Sequence, residues 1–394
     1  MTEHYLDNAA TTEVSQTARA AMEEAIGVYG NPSSSHGKGA EAKRLLERAR
    51  AEAADALGVR SGTRDRVIFT ASGTEANCTA IIGSFRSKNR RRDGTETVII
   101  GDGEHPSVAN AAGALENEGC RLIRVPTAGG KLDIGYLKDA LGDCREVFCA
   151  AFMLVNNETG AIYSVKDAAA AVKERFPDAV VHCDAVQGFG RVRFTPGTLG
   201  VDTLAVSAHK IHAPRGAGAL YISGEVIKRK NIAPILPGGG QEGGLRSGTE
   251  NLISVAGFGA ACRDLKKNFA AYREKTSALR KYLDERLAPL YEKGLKIKTP
   301  ADAVPDIVNL TLPGIKSETM LNFLSGKGIY VSAGSACSAY SKKTSPALTA
   351  FGCAPEEIDS SVRVSLSHTN TEDDVAALAD GLAEGMERLA RIRT

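Results

Sequence analysis

The stretch Val206 to Ile222 reads VSAHKIHAPRGAGALYI, so a short apolar run ends in Ser-Ala-His-Lys just before a loop rich in proline and glycine. A lysine is ordinarily a solvated cation; Lys210 could act as a nucleophile only in a partly buried site whose neighbours weaken its hold on a proton. Ser207 and His209 beside it carry side chains able to help hold an anion. A second group is VVHCDAVQGFG, in which Asp184 closes an apolar strand and Gln187 follows three residues on. That puts a carboxylate at the carboxyl edge of a sheet, where open α/β folds bind ligands, although aspartates also end strands simply as caps. The third is VIFTASGTEAN, where a strand runs into Ser72-Gly73-Thr74-Glu75. The S-x-x-E spacing opens a helix, and unpaired amides at the positive end of a helix suit a phosphate. The same spacing also begins an ordinary capped helix.

Strand-end lysine, buried acid and phosphate cradle together describe pyridoxal phosphate. Lys210 would form its Schiff base, Asp184 would pair with its pyridinium nitrogen, and the turn through Gly73 and Thr74 would take its phosphate. The run GGGQEGG, Gly238 to Gly244, contains a formal G-x-G-x-x-G. It lacks the preceding strand and the first βαβ unit that a dinucleotide site requires, and it reads as a flexible loop approaching a ligand. Near the C-terminus, VSAGSACSAYSKKTSP surrounds Cys337 with small residues and two nearby lysines, which predicts an exposed thiol with thiolate character on a mobile loop. In SVRVSLS, Arg363 lies on the face opposite Val362, Val364 and Leu366, suited either to bidentate capture of a carboxylate or to a surface ion pair.

Elements must carry these residues. From about residue 60 to 225, β-rich runs (RVIFT, TVIIG, EVFCAAFMLV, AVVHCD, TLAVSA, GALYI) alternate with helical stretches, the pattern of βαβ units and a mostly parallel sheet. A charged Ala/Leu-rich stretch from Glu250 to about Leu290 predicts a connecting helix broken once or more. Beyond it DIVNLTL, GIYVSAG and VRVSLS read as strands and TEDDVAALADGLAEGMERLARI as a terminal amphipathic helix. The change of texture near residue 255 predicts a large domain over 15–255 and a smaller one over 256–394, with residues 1–14 packing against the latter. A chain of 394 residues is long enough for two cores.

The bulk numbers exclude several classes. With 49 basic and 47 acidic residues the net charge is +2, which gives no electrostatic case for nucleic acid. The basic run Arg86 to Arg92 reads as a solvated helix end. The longest apolar stretch, Val147 to Val155, is too short to span a bilayer, and the start MTEHYLDNAATTE lacks a signal-peptide pattern, so a soluble cytoplasmic protein with no membrane partner is expected. The 8 cysteines are scattered without a C-x-x-C pair, as free thiols in a reducing compartment would be, and no metal-ligand spacing occurs.

Taken in order, YLDNAATT, GNPSSSHGKG, FTASGTEAN, GEHPSV, LVNNETG, HCDAVQ, SAHKIHAPRGAGALY, GGGQEGGLRSGTEN, SAGSACSA and VRVSLS resemble the cysteine desulfurases of the class V aminotransferase group. That resemblance implies a fold-type I pyridoxal-phosphate enzyme: α/β, a large domain with a mostly parallel seven-stranded sheet plus a smaller α+β domain. It implies that Lys210 carries the cofactor, that His105 stacks on its ring and assists proton transfers, and that Asp184 and Gln187 meet the pyridinium nitrogen and the phenolic oxygen. Gly73, Thr74, Ser207 and His209 would bind the phosphate together with Thr249 of a second subunit, hence a homodimer. Asn157 would contact cofactor and substrate, and with Arg363 would bind the carboxylate of L-cysteine. Cys337 would take the sulfur as a persulfide, leaving alanine. The segment CSAYSKKTSP resembles the longer loop type that delivers sulfur to an acceptor protein, an iron–sulfur scaffold or a relay for another thiocofactor. Ala213 stands where the family more often has glycine, which would stiffen the loop after Lys210, and Cys78 has no expected role. A selenocysteine lyase, another class V lyase or aminotransferase, and an inactive scaffold of the same fold are the alternatives.

Overall fold

A computed structural model of the chain describes residues 2–59, 62–87, 95–333 and 345–389. The Val/Ile-rich runs become strands because β-branched side chains fit a pleated surface covered on both faces. After β1 (His4–Tyr5) come β2 (Arg66–Thr70), β3 (Glu96–Gly101), β4 (Arg121–Val125), β5 (Glu146–Met153), β6 (Val180–Asp184), β7 (Thr203–Ser207) and β8 (Gly218–Ile222). Strands β2 to β8 form a 7-stranded sheet in the order β2-β8-β7-β6-β5-β3-β4. Neighbours from β7 through β4 pair in parallel, while β8 is antiparallel to both β7 and β2. The α/β class and the mostly parallel sheet are therefore as the sequence implied. The added strand is β4, RLIRV: it lies at the sheet's edge with Arg121 and Arg124 exposed, so its sequence reads as polar.

Alternation along each strand divides the core. Ile99 packs with Val181, Leu204 and Phe152 on one face, while Val98 and Ile100 join Phe148 and Ala151 on the other, under the helix Gly73–Phe85 and the helix Pro106–Asn117. Both faces being covered, the functional groups can reach water only from the strand ends.

The C-terminal part holds a second apolar cluster around Leu310, Val362, Val364, Leu378 and Leu382. Here β9 (Lys296–Ile297), β10 (Ile307–Thr311), β12 (Ser332–Ala333) and β13 (Ser361–Ser365) make an antiparallel 4-stranded sheet, while β11 (Ile329–Tyr330) pairs instead with β1. The expected single strand GIYVSAG is thus split between two sheets. The expected break in the connecting helix is also absent: Leu252–Tyr291 is one 40-residue helix. Pro289 sits in its last turn, so the bond its missing N–H denies to the preceding turn falls at the helix end and leaves the rod before it uninterrupted. Leu252, Val255 and Leu265 of this helix serve the first core and Leu279, Leu283 and Leu287 the second, so one rod spans both. The terminal helix is Glu372–Arg388, opened by a Thr371/Asp374 capping box. Among the described residues no helix is long and apolar enough to cross a membrane, and none of the seven described cysteines is in a disulfide.

Candidate active site

The loops that leave the carboxyl ends of β2, β3, β5, β6 and β7 converge on a cavity of about 190 Å³. Gly73 and Thr74 line it after β2, His105 after β3 and Asn157 after β5. Asp184 and Gln187 enter from β6, and Ser207, His209 and Lys210 from β7. This is the strand edge at which chain order reverses around β3 and β5, the place where open α/β sheets bind ligands.

At the β2 end, Ser72 caps the helix Gly73–Phe85 and accepts from Glu75 N at 3.1 Å. The return half of the expected capping box reaches one residue further back, with Glu75 Oε2 accepting from Ala71 N at 2.7 Å. The first-turn amides of Gly73 and Thr74 have no acceptor within the helix and face the cavity's end of the dipole. A Cβ on Gly73 would meet Val186 Cγ2 at 2.6 Å and Ser207 Cβ at 3.3 Å, so only glycine leaves this room open.

Asp184 is buried; Oδ1 accepts from Val186 N at 2.9 Å and Oδ2 from Asn77 Nδ2 at 2.8 Å. Gln187 Nε2 donates to Ala9 O at 2.8 Å, while its Oε1 is buried with no partner. Lys210 Nζ donates to the carbonyl oxygens of Ala9 and Ala10, the latter at 2.8 Å. Burial, assisted by the Lys210 and Arg215 charges, pushes His209 down to about 4, so it is a neutral ring. His105 caps the helix Pro106–Asn117, its Nδ1 accepting from Ser107 N at 3.1 Å. Burial lowers its basicity, Asp184 opposes that and Lys210 reinforces it.

Two predicted residues sit beside the cavity rather than in its wall. Arg363 is only 5% exposed; Nη1 donates to Asn157 O at 3.0 Å and Nη2 to Asp7 Oδ1 at 2.7 Å, with Nε buried and unpartnered. It is therefore no surface ion pair. Burial raises the Asp7 carboxyl and the Arg363 charge pulls it back down. Thr249 is exposed on the loop before the 40-residue helix and lines no part of this cavity. Cys337 lies outside the described residues, as does most of the basic run from Arg86 to Arg92. Ser345, where the described chain resumes, gives its hydroxyl to Glu158 at 2.8 and 2.7 Å. Burial, partly countered by Ser345 and Arg363, raises Glu158 to about 7.

The Gly238–Gly244 run, expected as a flexible loop approaching a ligand, is anchored at Glu242. Glu242 is buried and chelates Arg50 at 2.6 and 2.9 Å while accepting from Phe69 N at 3.0 Å. The run does not line the cavity. Ala213 does not occupy a left-handed position; in that loop those are His212, φ 62°, and Gly216, φ 87°.

Sequence reasoning missed Asn77 and Ser107, both in the cavity wall. The signal was present: Asn77 is four residues after Gly73 and so shares its helix face, and Ser107 follows His105 by two. The Ala9 and Ala10 carbonyls carried no signal, since a backbone oxygen has no residue type.

The profile of the aminotransferase class-V family matches residues 4–378. The chain is 34% identical to a protein of Methanosarcina thermophila named cysteine desulfurase IscS, over 98% of this chain and 92% of that one. Its fold superposes on a NifS-like protein from Rickettsia africae with a TM-score of 0.87 and 30% identity, covering 98% of this chain and 100% of the other. A structure described as SspA in complex with cysteine matches with a TM-score of 0.78 and 27% identity over 94% of this chain and 100% of that one.

Proposed function

Because the chain belongs to the aminotransferase class-V family and groups with its cysteine desulfurases, we propose that it converts L-cysteine to L-alanine and passes the sulfur to Cys337. What supports this reading above all is that Lys210 and Asp184 line one cavity together with the open helix end at Gly73. The residues there fit pyridoxal phosphate: an amine, a buried carboxylate, an orphaned amide oxygen on Gln187 and a glycine whose Cβ would fill the cradle. When bound, that group supplies an electron sink that makes the α-proton of an attached amino acid acidic.

Within that scheme Lys210 would hold the cofactor, and its amine would move the α-proton. Asp184, kept in place by Asn77 and Val186, holds a proton on the ring nitrogen. The amides of Gly73 and Thr74, with Ser207, His209 and the partner subunit's Thr249, bind the phosphate. Arg363 and Asn157 take the substrate carboxylate, Arg363 exchanging Asp7 for it. The Cys337 thiolate attacks the substrate sulfur, the C–S bond breaks with its electron pair left on carbon, and that carbon gains a proton. The products are alanine and a Cys337 persulfide, from which an acceptor protein collects sulfur for iron–sulfur clusters or another thiocofactor, in the cytoplasm.

Alanine and sulfide production from L-cysteine tests the proposal. Lys210→Ala is expected to abolish alanine formation, while Cys337→Ser retains the cofactor and loses sulfide release. Full-rate sulfide release by Cys337→Ser would remove Cys337 from the scheme.

A further inference from the structure

In the cavity wall a chain of buried hydrogen bonds runs from Asp184 to His105 through Asn77 and Ser107, with a branch to His182 and Thr203 behind it. Asn77 is 1% exposed, His182 0%, Thr203 0% and Ser107 8%, so every polar atom in the chain must be paired within the protein. The Asp184 carboxylate can only accept. Its Oδ2 lies 2.8 Å from Asn77, so the atom facing it is the amide nitrogen, Nδ2. That assignment fixes the rest. The Asn77 carbonyl, Oδ1, faces His182 Nε2 at 2.9 Å, so Nε2 carries a proton. His182 Nδ1, left as a lone pair, accepts from the Thr203 hydroxyl at 2.9 Å.

In the other direction the second N–H of Asn77 points to Ser107 Oγ at 2.8 Å. Ser107 Oγ therefore accepts there and has its own proton to give to His105 Nδ1, 2.8 Å away. The Ser107 backbone N–H, which can only donate, meets the same nitrogen at 3.1 Å. Two donors on one nitrogen leave no place for a proton on it.

We infer that Asn77 and Ser107 are positioning residues that hold His105 as the Nε2–H tautomer, so that His105 meets the cavity as a hydrogen-bond donor. The polarity starts at Asp184 and is passed on without a reversal. His105 thus offers a bound group its Nε2–H as a hydrogen-bond donor, while its Nδ1 lone pair stays engaged by the two Ser107 donors. Burial disfavours the doubly protonated ring in the same sense. The inference concerns the protein's own hydrogen bonds and stands whether or not cysteine is the substrate.

Long-range proton–nitrogen correlation spectra of the full-length protein, labelled with ¹⁵N in its histidine rings, read the tautomers directly, with His105→Gln and His182→Gln assigning the signals. At pH 7.5 both His105 and His182 are expected as neutral rings with the proton on Nε2. Ser107→Ala removes the hydroxyl donor and keeps the backbone one, and is expected to shift the His105 tautomer ratio toward Nδ1–H by roughly five-fold, the worth of one neutral hydrogen bond; Ser107→Thr restores it. A proton on Nδ1 of either ring, or a charged His105, in the unmodified protein overturns the inference even if the variants fail to fold. Because no turnover is measured, this outcome is separate from the fate of the proposed reaction.

Discussion

Glu158→Gln isolates a buried carboxyl whose protonation should be visible in stability near neutral pH. Glu158 is 7% exposed, follows Asn157 and is bonded to the Ser345 hydroxyl through both oxygens. Its pKa rises from 4.5 to about 7, and at about 1.4 kcal/mol per pKa unit the ionised form costs the folded state about 3 kcal/mol. The folded pKa lies above the unfolded one, so the folded protein binds the proton more tightly. The stabilising contribution is complete below pH 4.5 and is lost as pH rises through about 7. Glutamine keeps an oxygen for Ser345 and cannot ionise. Denaturant titrations of wild type and variant at matched pH should therefore differ little at pH 5 and diverge until the variant is more stable by about 3 kcal/mol at pH 9. Taking the difference cancels the other titrating groups. Ser345→Ala, which removes the donor that favours the charge, should move the midpoint of the wild-type pH dependence above 7. A difference that is flat with pH, or that shrinks toward pH 9, refutes the assignment of a raised carboxyl to Glu158.

Two further outcomes are expected. Gly73→Ala should weaken cofactor retention roughly ten-fold or more in equilibrium dialysis, because its Cβ would meet Val186 Cγ2 at 2.6 Å and displace the wall of the cradle; unaltered retention would contradict the cradle. Glu242→Ala should cost about 1–3 kcal/mol in denaturant titration, because it removes the buried acceptor of Arg50 and Phe69 N while Arg50 keeps Val67 O and Glu47, and an unchanged stability would show that the pair is not what holds the Gly-rich loop.

The residues legible from the sequence are those whose chemistry depends on where a strand or helix ends. Asp184, Lys210 and Gly73 each terminate or follow an apolar run, and periodicity locates such ends well. The strand β4 was hidden because an edge strand alternates exposed arginines with buried Ile123 and Val125, which looks like loop composition. The split of GIYVSAG and the continuity of the 40-residue helix depend on which neighbour each segment finds, and local propensity does not carry that information. Least legible were partners far apart in the chain: Asp7 on Arg363 at a separation of 356 residues, and the Ala9 and Ala10 carbonyls on Lys210 at 201 and 200.

Those separations have a consequence for how the protein is made. The segment from Asp7 to Thr12 leaves the ribosome well before the residues it contacts: Lys210 and His209 follow some 200 residues later, Arg363 and Ser365 some 356. At roughly 5–20 residues per second, the 356 residues between Asp7 and Arg363 take on the order of half a minute to synthesise. During that time the large sheet can assemble with only the Lys210 and His209 contacts of this segment in reach. Its full seating waits for β13, so a nascent chain stalled before Arg363 would hold its large sheet and still leave Asp7 and Ala9 without their partners on that strand.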